Sequence, residues 1–249
     1  WVWEAMAIQL GFLMIIICTP IIALSSFIDD KYNLNWKFKL LIDISTGFLI
    51  LYFIHNNFWS DNIIHNLICS FIILFLIIWF INLINFTDGS DGYLTSILIS
   101  SILINIIAKY YLNYHLNFIN IILLSMLINF LFYNLHPSNI FLGDAGSRFL
   151  SIILIIFIYI DYLDSKYFLL TVWLLSLMLI LLDTSYTLLL RFITVKNWMS
   201  EHKDHAYQIL TQNYGHNSSL IWQILNTLLL VIPLIIIIIL NKINIFIAL

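Results

Sequence analysis

The sequence predicts an all-α fold, a polytopic bundle of transmembrane helices. Three observations predict it. Of 249 residues, 62% are hydrophobic and only 9% are charged, where a soluble globular domain carries about 25% charged residues. The mean hydropathy is +1.01. The apolar residues come in continuous runs rather than in alternation, which separates helical spans from the strands of an outer-membrane barrel. The same composition excludes a disordered chain, whose apolar content is far lower. A net charge of −3 with no basic run excludes a nucleic-acid binder.

A spanning helix needs about 20 mostly apolar residues. Eight runs meet that expectation: 5–27, 40–56, 64–85, 92–112, 117–134, 148–163, 167–190 and 219–240. The second and sixth are short and partly polar. The two longer connections run from Asp29 to Lys39 and from Arg191 to Ser218. No internal repeat and no soluble domain interrupts the pattern, so residues 1–249 read as one integral membrane domain. Cys18 and Cys69 lie inside apolar runs, which argues against a disulfide framework or a thiol metal cluster. Trp1 to Ala5 leads straight into an apolar run without a positive segment or a small-residue cleavage site, so no signal peptide is expected.

If the eight spans alternate, one face collects Lys31, Lys37, Lys39, Arg148, Arg191, Lys196 and Lys203, and the other Lys109, Lys166 and Lys242. The positive-inside rule makes the first face cytoplasmic. Asp29, Asp30, Asp88, Asp91, Asp144, Glu201 and Asp204 fall on that same face; the other holds Glu4, Asp61, Asp161 and Asp164. Acids and bases from four distant loops on one rim suggest a polar site there.

Four loops carry the chemistry. In the first, Ile28 to Lys39, Asp29 and Asp30 abut the end of an apolar helix. Adjacent carboxylates repel, so the pair calls for a cation or a shared proton, unless headgroup water solvates it. Lys37 and Lys39 suit either a substrate anion or lipid phosphates reached by snorkelling. In the second, I-N-F-T-D-G-S-D-G-Y, Asn85, Asp88 and Asp91 recur at threes, on one side of a helical turn, and each Asp precedes a glycine. A calcium loop would need acids at alternate positions and a later Glu. In the third, Tyr133 to Arg148, Asp144 sits in a Gly-rich turn entering an apolar helix. Such a turn offers N–H groups to an anion, and the carboxylate offers an oxygen to a hard cation or caps the helix. In the fourth, His202, Lys203 and His205 place three groups able to carry positive charge within four residues, a natural phosphate-binding set. His55, His65, His115, His136 and His216 read as structural or interfacial. Asp43 and Asp183 fall in or near spans, where an acid is costly unless paired or hydrated. Asp183 is expected to face the polar rim or the bundle interior.

The ordered set Asp29-Asp30, N-F-T-D-G-S-D-G, F-L-G-D-A-G-S and H-K-D-H-A-Y-Q resembles the polyprenyl-phosphate N-acetylhexosamine-1-phosphate transferases, often called glycosyltransferase family 4, over roughly residues 11 to 212. The resemblance implies ten or eleven spans and catalytic loops on the cytoplasmic face of the bacterial inner membrane. It implies transfer of a sugar-1-phosphate from a UDP-N-acetylhexosamine to polyprenyl (undecaprenyl) phosphate, with release of UMP and use of Mg²⁺, or Mn²⁺ in its place. The lipid bilayer is then a partner, nucleic acid is not, and a homodimer is expected from the family's habit. By the same resemblance, Asp144 binds the metal and Asn85 is a metal or nucleotide contact. Asp29 and Asp30 activate the acceptor, and Lys39 approaches the pyrophosphate or the acceptor. Asp88, Asp91 (toward uracil) and Asn134 contact the nucleotide; Arg191, His202 and His205 form the basic cluster. The family's extra N-terminal helices are not visible, so the chain is expected to lack them. The branch that transfers phospho-muramoyl-pentapeptide carries three consecutive histidines in the last loop. The form E-H-K-D-H-A-Y-Q departs from it and points to the O-antigen-initiating, lipopolysaccharide branch. The rival class is a cation- or proton-coupled transporter, which would place acids at midplane within broken helices.

Overall fold

The structure is a computed structural model. It describes residues 2–32, 35–54, 62–165, 167–194 and 203–247, without the side chains of 2–12, 30, 36 and 242–247. The helices are α1 (Val2–Tyr32), α2 (Trp36–Ile54), α3 (Ile63–Phe86), α4 (Tyr93–Tyr111), α5 (Phe118–Asn134), α6 (Gly143–Ser165), α7 (Tyr167–Ser176), α8 (Met178–Thr194), α9 (Ala206–Tyr214), α10 (His216–Asn226) and α11 (Ile232–Ile247). No strand occurs among the described residues, and the all-α polytopic class stands. Every apolar run falls on a helix. Four helical stretches are long and apolar enough to cross a membrane: α3, α4, α6 and the continuous stretch His216–Asn241. Counting α7 with α8 as one broken span makes five among the described residues, against the eight runs expected.

The chain divides into two compact units. The first, residues 1–85 and 142–163, holds α1, α2, α3 and α6. Its core repeats at helical spacing. Met14, Cys18 and Ile22 line α1, Ile50 and Ile54 α2, Ile77 and Ile81 α3, and Ile152, Ile156 and Ile160 α6. A spacing of four puts each set on one stripe. The opposite stripe of α3 exposes Ile64, Leu67, Ile68, Phe71 and Phe75, as a lipid-facing surface requires.

The second unit, residues 86–141 and 164–249, holds α4, α5 and α7 to α11. Ala108 of α4, Val172 of α7, and Val231 and Ile235 of the last span pack together. The run 167–190, expected as one span, is broken: α7 and α8 meet at 66°. The break is chemically supported. The Ser101 hydroxyl of α4 donates to the Ser176 carbonyl at 3.0 Å, supplying the partner that an unbroken ladder would have given it. The last span carries a π-helical turn, Thr227–Val231, just before Pro233. Proline removes one ladder N–H and crowds the preceding turn, and widening that turn accommodates it.

Two charges read as loop residues lie inside. Arg148 is 3% exposed and Lys109 is fully buried. Arg148 of α6 pairs with Asp43 of α2, also buried. Each ion thus has the compensation that burial demands.

Candidate functional site

Each unit carries one polar cluster. In the first unit, Lys39 stands at the start of α2 and reaches Asp29, near the end of α1, in an ion pair. The same ammonium lies 3.5 Å from Asp144 Oδ2, in the first turn of α6. Asp29 is buried, whereas Lys39 and Asp144 are about one third exposed, so the cluster opens to solvent on their side. Asn85 joins from the end of α3. The Ser147 hydroxyl donates to Asn85 Oδ1 at 2.6 Å, and the Gly143 carbonyl lies 2.9 Å from the same hydroxyl. The amide oxygen is thereby held at the N-terminal turn of α6. Three expected residues from three helices therefore meet, Asp29, Lys39 and Asp144, and a fourth, Asn85, is bonded to Ser147 in the same turn of α6. The side chain of Asp30 lies outside the described residues.

The donor set suits a hard divalent cation. It supplies carboxylate and amide oxygens and no thiol. The ammonium between two carboxylates marks a place where positive charge is already wanted. Asp144 and Asn85 are the residues that fit such an ion.

In the second unit the centre is Asp91, buried in the turn before α4. Its carboxylate lies 2.7 Å from His136 Nδ1 and 3.6 Å from His216 Nδ1, and it accepts from the Ser138 hydroxyl at 2.9 Å. Desolvation works to raise its pKa, but the bonds from His136 and Ser138 and the nearby His216 outweigh it. The carboxyl is held below the usual range. A group with a depressed folded pKa stabilises the fold above its unfolded pKa, about 3.9. That contribution is lost as pH falls through the lower folded value. Wild type is therefore expected to out-stabilise Asp91→Asn above about pH 4 and to converge on it at lower pH. Unfolding midpoints of the two proteins in lipid nanodiscs, measured from pH 7 to pH 2.5, test this. A gap independent of pH would refute it.

His136 and His216, expected to be structural or interfacial, both face Asp91. Their rings stack at 4.4 Å with 4° between planes. Imidazole lone pairs lie in the ring plane, so two parallel stacked rings do not aim at one shared ion, although the three ligand atoms lie within 4.8 Å of one another.

Asn134 is buried, and its amide is engaged at both ends. Its oxygen accepts from Gly92 N–H at 3.1 Å and the Thr95 hydroxyl at 2.8 Å, and its nitrogen donates to the Ile140 carbonyl at 3.0 Å. The amide holds the loop. Gly92 is required beside it, because its φ of +70° lies in the left-handed region. Asp88 is partly buried in the same loop.

Only part of the expected basic cluster falls among the described residues. His202 lies outside them. Lys203 is exposed, whereas His205 is turned inward at 2% exposure, stacked on Phe86 and Tyr207. Arg191, in the last turn of α8, pairs with Asp204 and is buried. Asp183 accepts from Ala206 N–H at 2.8 Å, a carboxylate placed at the N-terminus of α9. Its expected inward orientation holds, and it serves a helix end.

Fold and clusters together define a multi-pass helical membrane protein with acid-, lysine- and imidazole-bearing loops. Comparison with known proteins places it further. The profile of glycosyl transferase family 4 matches residues 12–161, and the chain belongs to that family. A phospho-N-acetylmuramoyl-pentapeptide-transferase of Streptococcus sanguinis is 30% identical over 154 residues, 55% of this chain and 47% of the relative. One of Lactococcus lactis is 32% identical over 142 residues, 50% of this chain and 43% of the relative. A probable undecaprenyl-phosphate N-acetylglucosaminyl 1-phosphate transferase of Bacillus subtilis is 25% identical over 212 residues, 81% of this chain and 59% of the relative. The chain spans about half the length of the curated relatives it matches.

Proposed function

We propose that the protein transfers an N-acetylhexosamine-1-phosphate from a UDP-sugar to polyprenyl phosphate, releasing UMP and starting a lipid-linked envelope polysaccharide of the O-antigen type. The observation that carries the reading is the Lys39 ammonium held between the carboxylates of Asp29 and Asp144 at helix ends, with Asn85 bonded to Ser147 one turn along α6 from Asp144. In the reaction, an oxygen of the lipid phosphate attacks the sugar-proximal phosphorus. A new P–O bond forms, the pyrophosphate P–O bond breaks, and the electron pair leaves with UMP.

Two anions must meet in this step, so the protein has to cancel charge and hold an in-line geometry. Lys39 supplies fixed positive charge. Asp144 and Asn85 would hold Mg²⁺ (or Mn²⁺), which when bound would neutralise phosphate charge and stabilise the leaving group. Asp29 is engaged with Lys39, and a phosphate monoester is already largely ionised near neutral pH, its second pKa being about 6. Asp29 therefore acts mainly by fixing the ammonium. Asp30 is assigned to the acceptor, and Asp88 and Asp91 to the nucleoside of the donor. Arg191, His202 and His205 are assigned to the phosphates of the substrates. The reaction side faces the cytoplasm of the inner membrane, where the cationic residues are expected.

A second reading, phospho-muramoyl-pentapeptide transfer, is favoured by the names of the streptococcal and lactococcal relatives. The missing triple histidine and the longer match to the Bacillus relative favour the first. A proton-coupled transporter has less support, since Asp43 is paired with Arg148 and Asp183 caps a helix.

The test is UMP release by purified protein given undecaprenyl phosphate, Mg²⁺ and a panel of UDP-N-acetylhexosamines and UDP-muramoyl-pentapeptide. Release with one N-acetylhexosamine donor is expected. Release with the pentapeptide donor alone selects the second reading, and silence across the panel rejects both.

A further inference from the structure

The acidic loop of the second unit, Thr87 to Asp91, has no regular structure of its own to hold it. Its backbone groups need partners from elsewhere, and several come from α9 and α10. Tyr207, in the first turn of α9, donates its hydroxyl to the Phe86 carbonyl at 2.7 Å and accepts from Gly89 N–H at 3.1 Å. One hydroxyl thus bridges the end of α3 and the middle of the loop. The approach is close. A Cβ on residue 89 would lie 2.5 Å from the Tyr207 hydroxyl and 2.6 Å from Gln208 Nε2, so a side chain there would push one or both aside.

Further along, the Ser90 hydroxyl lies 3.1 Å from Thr211 Oγ1, 3.2 Å from Ser219 Oγ and 3.3 Å from His216 Nδ1. Asp91 N–H donates to His216 Nδ1 at 3.3 Å. Tyr207 and Thr211 are four apart on α9, and His216 and Ser219 three apart on α10, so each helix presents one edge to the loop. The Tyr207 ring is fully buried and stacks on Tyr93 at 4.5 Å. Burial, reinforced by the carboxylates of Asp88 and Asp183, pushes its phenol up, which keeps the hydroxyl protonated as a donor.

We infer that α9 and α10 form a clasp on the Thr87–Asp91 loop, and that Tyr207 is a positioning residue that sets Asp88 and Asp91 for a uridine nucleotide. The inference rests on the donor-binding role proposed for that loop. Tyr207, His216 and Ser219 all lie beyond the stretch that the family profile matches.

Tyr207→Phe tests it, because phenylalanine keeps the stack on Tyr93 and loses only the hydroxyl. Two quantities are read on the full chain in lipid nanodiscs: single-amide hydrogen exchange, which needs no turnover, and the KM and kcat for the UDP-sugar. Exchange at Gly89 is expected to speed up by about tenfold, one neutral hydrogen bond's worth. Gly92, held by Asn134, should not change. KM is expected to rise by a similar factor with kcat within threefold. Ser219→Ala, tested alongside, should speed exchange at Ser90 and Asp91 and gives the second measure if Tyr207→Phe folds poorly. Unchanged exchange at Gly89 overturns the clasp. Faster exchange with an unchanged KM overturns the positioning role. Faster exchange in a chain whose wild type turns over no donor supports the clasp and rejects the transferase reading instead.

Discussion

Asp144→Ala is expected to lower metal-dependent UMP release by about 10³-fold, the scale on which removing one preorganised electrostatic contact acts on a charged transition state. The carboxylate stands in the first turn of α6, one third exposed, 3.5 Å from Lys39. An ion pair so exposed contributes about 0–1 kcal/mol to stability, so the variant should melt within a few degrees of wild type. Lost activity then reports on chemistry rather than on folding. Lys39→Met should behave differently. It leaves Asp29, 4% exposed, without its ammonium, so both rate and stability are expected to fall. Initial rates at saturating donor, with melting curves for all three proteins, make the comparison. An Asp144→Ala rate within tenfold of wild type would remove Asp144 from the centre.

The helical membrane class was legible from composition and run length, because a bilayer imposes both. The break at Leu177 was not. Hydropathy runs unbroken through Tyr167 to Leu190, and the serine that supports the broken backbone, Ser101, lies on α4. Of the candidate site, the residues on helix ends were legible: Asp29, Asn85 and Asp144 stood out as polar groups beside apolar runs. Polar groups that hold other polar groups were harder to place. Residue type alone did not show that Asn134 would hold backbone groups or that His205 would be buried, because it does not tell how a polar side chain is engaged. His136 and His216 looked incidental, being 80 residues apart in sequence, and only the fold brings them to Asp91. For the Asp43–Arg148 pair a signal was present. Two opposite charges inside apolar runs each need a partner, and each is the other's natural one.

That pair leads to the largest expected effect on stability. Lys39 and Asp43 are four apart on α2, and Asp144 and Arg148 are four apart on α6, so each helix bears two charges one turn apart on the same face. Asp43 meets Arg148 in the interior, and Lys39 meets Asp144 where the cluster opens. Asn82 Nδ2 lies 3.4 Å from Asp43, and Ser26 Oγ 3.5 Å from Arg148. The inner pair is expected to fix the register of α2 against α6 and thereby the outer one. Arg148→Met strands a buried carboxylate and is expected to cost about 3–5 kcal/mol. The double variant Asp43→Leu, Arg148→Met removes the stranded charge and should recover most of that loss, since well-packed apolar residues often replace a buried pair at little cost. Denaturant midpoints of the wild type, both single variants and the double variant close the cycle. A double variant no more stable than Arg148→Met would mean that packing, and not the ion pair, sets the cost. Activity separates the two roles of the pair. If apolar packing restores stability but leaves UMP release depressed, the charges themselves hold Lys39 and Asp144 in register; if it restores both, any tight contact between α2 and α6 serves.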